Sequence, residues 1–100
     1  MNEDEEFQLA VDTEIQNIAR GDLDWIEKLE PFTNHAFSYN GKQYEGSLIY
    51  YPAGMSQEYH SVVLKLERKL MVGYRSYLAG FSFNDQKVFP ILSELLYSCD

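Results

Sequence analysis

The dipeptide Asn40-Gly41 is the feature that most restricts how this chain can fold. Both residues tolerate a positive φ angle, and they stand between two runs of alternating residues, which is typical of a two-residue type I′ hairpin turn. Such a turn fixes the register, so Tyr39 should pair with Lys42 and Phe37 with Tyr44. We therefore predict a β-hairpin over residues 35–51.

One face of this hairpin is aromatic and apolar, and it carries Phe37, Tyr39, Tyr44, Leu48 and Tyr50. Two strands alone are marginally stable in water, so the rest of the chain must cover that face. The 100 residues are the length of one compact domain. We predict an α+β fold in which N-terminal helices and a C-terminal helix pack on a small, mainly antiparallel sheet built around the 35–51 hairpin. The sequence leaves the strand order open.

The first 30 residues predict two helices. Residues 4–20 have the apolar spacing of an amphipathic helix, with Asn2 or Asp4 as its cap and Gly21 at its end. Residues 22–29 predict a shorter helix that Asp22 can cap and that Pro31 stops.

Residues 55–71 are ambiguous between a helix and a strand hairpin. Apolar residues recur there at helical spacing, whereas Val62, Leu64 and Leu66 also alternate as in a strand. A hairpin would need its turn at residues 67–69, which lack turn chemistry, so we favour the helix. Further along, residues 74–83 predict a strand, residues 87–89 a short return strand after Asn84-Asp85, and residues 90–98 a last helix that begins at Pro90.

Charge is distributed unevenly along the chain, whose net charge is −8. Residues 1–30 contain ten acids and two bases, whereas residues 31–100 contain six of each. The sequence therefore divides into an acidic helical unit, 1–30, and a charge-neutral part, 31–100. Direct nucleic-acid binding is disfavoured, because phosphate contacts need a basic surface, and a basic protein partner is favoured instead.

The candidate partner-binding residues come from the acidic unit and are Asp12, Glu14, Asp22, Asp24, Trp25, Glu27 and Glu30. Trp25 has two interpretations. It closes the edge of the core, which we favour, or it is an apolar anchor ringed by carboxylates, the kind of residue that dominates a binding hot spot.

Catalytic and metal-binding patterns are missing from the sequence. The residues His35, His60 and Cys99 have no metal-ligand spacing, and no nucleophile elbow or phosphate loop occurs. We expect no enzyme activity, no cofactor and no metal. The acidic start of the chain is unlike a signal peptide, no run of 18 apolar residues occurs, and a single cysteine forms no internal disulfide. We therefore expect a cytoplasmic protein that binds no membrane.

Two functions fit these features. The first is a small acidic inhibitor, of the immunity, anti-restriction or anti-CRISPR type, which blocks a basic, nucleic-acid-handling partner with its N-terminal acidic face. The second is a self-associating, homodimeric scaffold or adaptor domain. In that alternative the N-terminal acids pair with Lys65, Arg68, Lys69 and Arg75, in the same chain or a neighbour, and exposed strand edges join two copies.

Overall fold

The computed structural model describes residues 2–54 and 58–91, which contain one α-helix, one 3₁₀ turn and one five-stranded sheet. The helix is α1 (Glu3–Arg20), and the 3₁₀ turn covers Ile26–Lys28. The strands are β1 (Phe32–Tyr39), β2 (Lys42–Tyr51), β3 (His60–Lys69), β4 (Tyr74–Phe83) and β5 (Val88–Ile91). Every strand pairs antiparallel with the next one along the chain. This meander, with a helix before it, confirms the predicted α+β class.

The central hairpin forms in the predicted register. Asn40 and Gly41 have φ angles of 50° and 79°, as a type I′ turn requires. Tyr39 pairs with Lys42 and Phe37 with Tyr44. The turn chemistry of two residues therefore sets which side chains of β1 and β2 face the helix.

The helix α1 also forms as predicted, and it covers the aromatic face of the hairpin. The Asn2 side chain caps its start by accepting a hydrogen bond from the Glu5 N–H at 2.9 Å, and the Gly21 N–H closes its end on the Ile18 carbonyl. The core between α1 and the sheet contains the helix residues Ala10, Val11 and Ile15 and sheet residues of β1 to β4: Phe37, Tyr44, Leu48, Tyr50, Val62, Leu64, Leu66, Tyr77, Ala79, Phe81 and Phe83. Ile26 completes this core with no exposed surface.

The prediction of a helix over residues 55–71 is wrong, because residues 60–69 form β3. This strand lies in the middle of the sheet and buries apolar residues on both faces. Val62 and Leu64 face α1, whereas Val63 packs with Leu78 on the opposite face. Because neighbouring residues such as Val62 and Val63 are both apolar, the pattern in the sequence resembles the spacing of a helix. The turn lies at residues 70–73, where Leu70 donates to the Gly73 carbonyl, and residues 55–57 of the predicted helix lie outside the described part.

The two other predicted helices need correction as well. Only a 3₁₀ turn forms within residues 22–29, although Leu23 and Leu29 do pack on the core. Pro90 belongs to β5, so no helix begins there, and residues 92–98 of that prediction lie outside the described part. The strands predicted at residues 74–83 and after Asn84-Asp85 are confirmed as β4 and β5.

Candidate functional site

The acids of α1 are largely used to hold the helix on the sheet. At its first turn, Arg68 of β3 donates to Glu3 at 2.5 Å and to Asp4 at 2.7 Å. Arg75 and the Tyr77 hydroxyl, both from β4, also donate to Asp4. The hydrogen bond from Tyr77, with the two guanidinium charges nearby, lowers the pKa of Asp4 below its ordinary value of 3.8. One carboxylate thus joins α1 to two strands.

Two further acids of α1 contact the β1–β2 hairpin. Glu6 lies 2.6 Å from the Lys42 ammonium and accepts a hydrogen bond from the Tyr44 hydroxyl at 3.3 Å. The hydrogen bond that Lys42 donates to Glu6 lowers the pKa of Glu6 and raises the pKa of Lys42. Glu14 contacts His35 of β1 at 2.6 Å. Glu14 therefore supports the fold rather than offering a free binding charge.

Asp12 is also only partly available, because it accepts a hydrogen bond from the Gln8 side chain at 3.0 Å. Gln8 in turn donates to the Leu78 carbonyl of β4 at 3.1 Å. The structure thus separates Asp12 and Glu14 from the other five predicted site residues, which all follow the helix.

The five remaining residues lie together on one short segment, residues 21–31, which we call the acidic segment. It contains four acids, Asp22, Asp24, Glu27 and Glu30, and one base, Lys28. All four acidic residues are exposed. The Asp22 side chain accepts a hydrogen bond from the Asp24 N–H at 3.0 Å, which closes a local turn at the start of the segment.

The acidic segment is held in place by apolar contacts. Ile26 is completely buried, and Leu23 and Leu29 pack at the margin of the same core. Trp25, next to Ile26 in the chain, is 41% exposed and is not a member of the core. A large, partly exposed ring is therefore presented from a backbone that its neighbours anchor.

A histidine of β3 connects the acidic segment to the sheet. His60 Nδ1 lies 3.1 Å from the Ala53 N–H and 2.7 Å from the Tyr50 hydroxyl. A backbone N–H can only donate, so Nδ1 is the acceptor and the ring carries its proton on Nε2. That nitrogen lies 3.3 Å from the Glu27 carboxylate. Burial, with the Glu27 charge as a second cause, raises the pKa of Tyr50, which keeps its hydroxyl protonated.

The contacts run from Tyr50 through His60 to Glu27, in the order of a proton relay. Burial and ring stacking hold these side chains in place, so we assign the contacts a structural role. Tyr50 is buried, and its ring and that of Phe83 both stack against the His60 ring. The surface outside it is a shallow cavity of about 230 Å³ whose lining includes three carboxylates, those of Asp24, Glu27 and Asp85. This end of the molecule is suited to bind a basic group.

The described ranges give no support to metal chemistry or to a membrane span. No group of three or more His, Cys, Asp or Glu side chains within residues 2–54 and 58–91 could hold a metal ion. No helix in that part of the chain is both long and apolar enough to cross a bilayer.

Comparison with known proteins adds no identification. No protein-family model matches the chain, and no curated protein or solved structure shows significant similarity to it. Function must therefore be inferred from the geometry of the chain itself.

Sequence reasoning missed the partners of both histidines and the contribution of Asp85. His35 and His60 each contact a glutamate of the first 30 residues. Asp85 belongs to the β4–β5 turn, and only the sheet topology places it beside Asp24 and Glu27. Nothing in the linear sequence signals these contacts, because the residues involved are between 21 and 61 positions apart.

Proposed function

We propose that this protein is a small acidic binding protein that inhibits a basic, nucleic-acid-handling partner through its acidic segment. The observation that carries the proposal is the exposed Trp25 ring on an anchored backbone, among four acidic residues that are all exposed. Aromatic anchors of this kind supply much of the binding energy at protein interfaces, and surrounding acids speed association with a basic partner.

The surface that we propose differs from the one predicted from the sequence. The functional residues of the proposal are Asp22, Asp24, Trp25, Glu27 and Glu30, with Asp85 added from the neighbouring turn. Asp12 and Glu14 are left out because they lie on α1, apart from the acidic segment, and are only half-exposed, whereas the four acids of the segment are exposed. Inhibition would occur by occupation: the acidic segment takes the place of phosphates in the basic channel of the partner, and no bond is made or broken.

Capture followed by displacement tests this function. Tagged protein is used to capture binding proteins from the native host, and bound material is then eluted with a DNA oligonucleotide. We expect a basic nucleic-acid-binding protein that the oligonucleotide releases, since both ligands would compete for one channel. A retained protein that the oligonucleotide does not displace would contradict the proposed mode of inhibition.

The alternative function, a self-associating domain, is favoured by a different observation. The salt bridges that this alternative predicted for Arg68 and Arg75 form within one chain, where these residues pair with Glu3 and Asp4. Strand β1, however, leaves one edge of the sheet without a neighbouring strand among the described residues. Self-association would therefore depend on that edge and not on exchanged salt bridges.

A further inference from the structure

The two edges of the sheet differ in how well they are protected against pairing with another strand. The β5 edge contains Pro90, which has no N–H to donate. On the neighbouring strand, the Gln8 side chain donates to the Leu78 carbonyl of β4. These are the usual ways in which proteins protect an edge strand.

The β1 edge has none of these protections. It is eight residues long, FTNHAFSY, and it contains no proline, no lysine and no acidic residue. Its register with β2 runs through all eight residues without a bulge. Its one ionisable side chain that could repel another strand, His35, contacts Glu14 of the same chain. An unprotected edge of this length is a template for strand addition.

The hairpin register identifies which backbone groups of β1 are free. In a two-residue hairpin the residues that flank the turn form a hydrogen-bonded pair, so Tyr39, Phe37, His35 and Thr33 bond to β2. The Tyr50 N–H donates to the Pro31 carbonyl at 3.0 Å, which confirms this alternation at the far end. The N–H and C=O groups of the intervening residues, Phe32, Asn34, Ala36 and Ser38, therefore point away from β2, and no backbone partner for them lies within residues 2–54 and 58–91.

We propose that a second copy of this chain pairs with the β1 edge, antiparallel and about a two-fold axis at His35, to form a continuous ten-stranded sheet. One register uses all four outward-facing residues of each copy. Phe32 of one copy then bonds to Ser38 of the other, and Asn34 to Ala36. A register shifted by two residues in either direction leaves one residue of each strand without a partner.

The side chains on β1 fit a copy of themselves. In the proposed register a large residue faces a small one on the open side of the sheet, since Phe32 lies opposite Ser38 and Asn34 opposite Ala36. Phe32 is 69% exposed in the isolated chain, so pairing would cover an apolar surface. The helix α1 contacts β3 and β4 more than β1, and the four outward-facing residues of β1 are all exposed.

Proline at an outward-facing position tests the pairing without disturbing the hairpin. Ala36→Pro removes an N–H that is not bonded to β2, and Ala36→Ser is the matched control that keeps it. By sedimentation equilibrium we expect a dimer for the wild type and for Ala36→Ser. In Ala36→Pro the dissociation constant should rise roughly tenfold or more, because the two-fold axis doubles each lost hydrogen bond. A monomeric wild type at every concentration, or a dimer of unchanged affinity in a folded Ala36→Pro variant, would overturn the proposal.

Disulfide trapping tests the register even where Ala36→Pro fails to fold. In a Cys99→Ser background, His35→Cys places two thiols directly opposite each other, with Cα atoms about 4.5 Å apart, which is within disulfide range. Ser38→Cys is the control, since its copies would lie roughly 20 Å apart at the rise of a strand. We expect rapid cross-linking of His35→Cys and slow cross-linking of Ser38→Cys under mild oxidation. Equal rates for the two variants would contradict the two-fold pairing.

Discussion

The acidic residues of α1 and those of the acidic segment have the same side-chain chemistry, but they differ in whether they pair with cations of the sheet. Glu3, Asp4, Glu6 and Glu14 each contact a basic side chain of the sheet. In the acidic segment only Glu27 does so, through His60, and its side chain remains 53% exposed. The same residue type thus fastens the helix to the sheet in one region and stays available to a partner in the next.

The difference follows from the topology of the sheet. The helix lies across strands whose ends present Lys42, Arg68 and Arg75, so its first turns meet positive charge. The acidic segment lies at the other end of β3 and β4, beside His60 and the β4–β5 turn, where Asp85 adds another acid. Net charge alone therefore overstates how many acids are free, because Glu3, Asp4 and Glu6 are paired with cations of the sheet.

The largest effect should come from reversing charge in the acidic segment. Asp24→Lys with Glu27→Lys should weaken binding of the captured partner roughly 100-fold, because like charges placed against each other cost several kcal/mol. Glu5→Lys with Glu45→Lys is the control, since both residues are exposed and the variant has the same net charge. Calorimetric titration of both variants measures the difference. Equal losses would mean that only total charge matters.

Removing the aromatic anchor should have the next largest effect. Trp25→Ala should weaken partner binding roughly 30-fold, a typical loss for an interface hot spot, with little change in Tm because the ring is outside the core. Met71→Ala is the matched control, because Met71 is fully exposed. It lies at the β3–β4 turn, at the end of these two strands that is opposite to the acidic segment. If both variants bind like the wild type, Trp25 is not an anchor.

On the α1 side of the comparison, the expected effect is on stability and not on binding. Asp4→Ala removes the carboxylate that Arg68, Arg75 and Tyr77 share, and we expect Tm to fall by roughly 4–8 °C, a range typical of a modest destabilisation in a domain of this size. Glu5→Ala, in the same helical turn but exposed, is the control and should leave Tm nearly unchanged. Thermal melts by circular dichroism measure both. A smaller shift in Asp4→Ala than in Glu5→Ala would contradict the assigned role.

The smallest expected effect is the change in folding stability with pH. The folded-state pKa values of Asp4 and Glu6 are lowered, so their stabilisation is present above the ordinary values of 3.8 and 4.5 and is lost as pH falls through the folded values. Urea unfolding of the wild type should therefore show stability decreasing below about pH 4.5. The Asp4→Asn/Glu6→Gln variant should be less stable at neutral pH and should converge with the wild type in acid. A constant difference at all pH values would exclude this linkage.

Local signals in the sequence predicted the parts of the fold that depend on local chemistry. Asn40-Gly41 determined the register of β1 and β2, and Asn2 and Gly21 bounded α1. The strand β3 was predicted as a helix because it is buried on both faces, which hides the alternation of a strand. The turn was also sought at residues 67–69, whereas it lies further along and contains Gly73 at φ 78°.

The seven candidate residues remain a prediction, and the structure shows only where each of them lies. All seven residues carry exposed or half-exposed side chains, but Asp12 and Glu14 contact Gln8 and His35. Which acids are paired depends on where β1, β3 and β4 place their cations, and that is long-range information. The free edge of β1 likewise follows from strand order, which the sequence left open.

The association rate of the captured partner, measured against ionic strength, tests the role of the acidic segment most directly. Salt screens the charges that attract a partner from a distance. The wild type and the Glu5→Lys/Glu45→Lys control should therefore associate more slowly as the salt concentration rises. The Asp24→Lys/Glu27→Lys variant should associate slowly at all salt concentrations, with a much weaker dependence. Parallel salt dependences for the two variants would contradict the account, because the acids of the segment would then have no special part in binding.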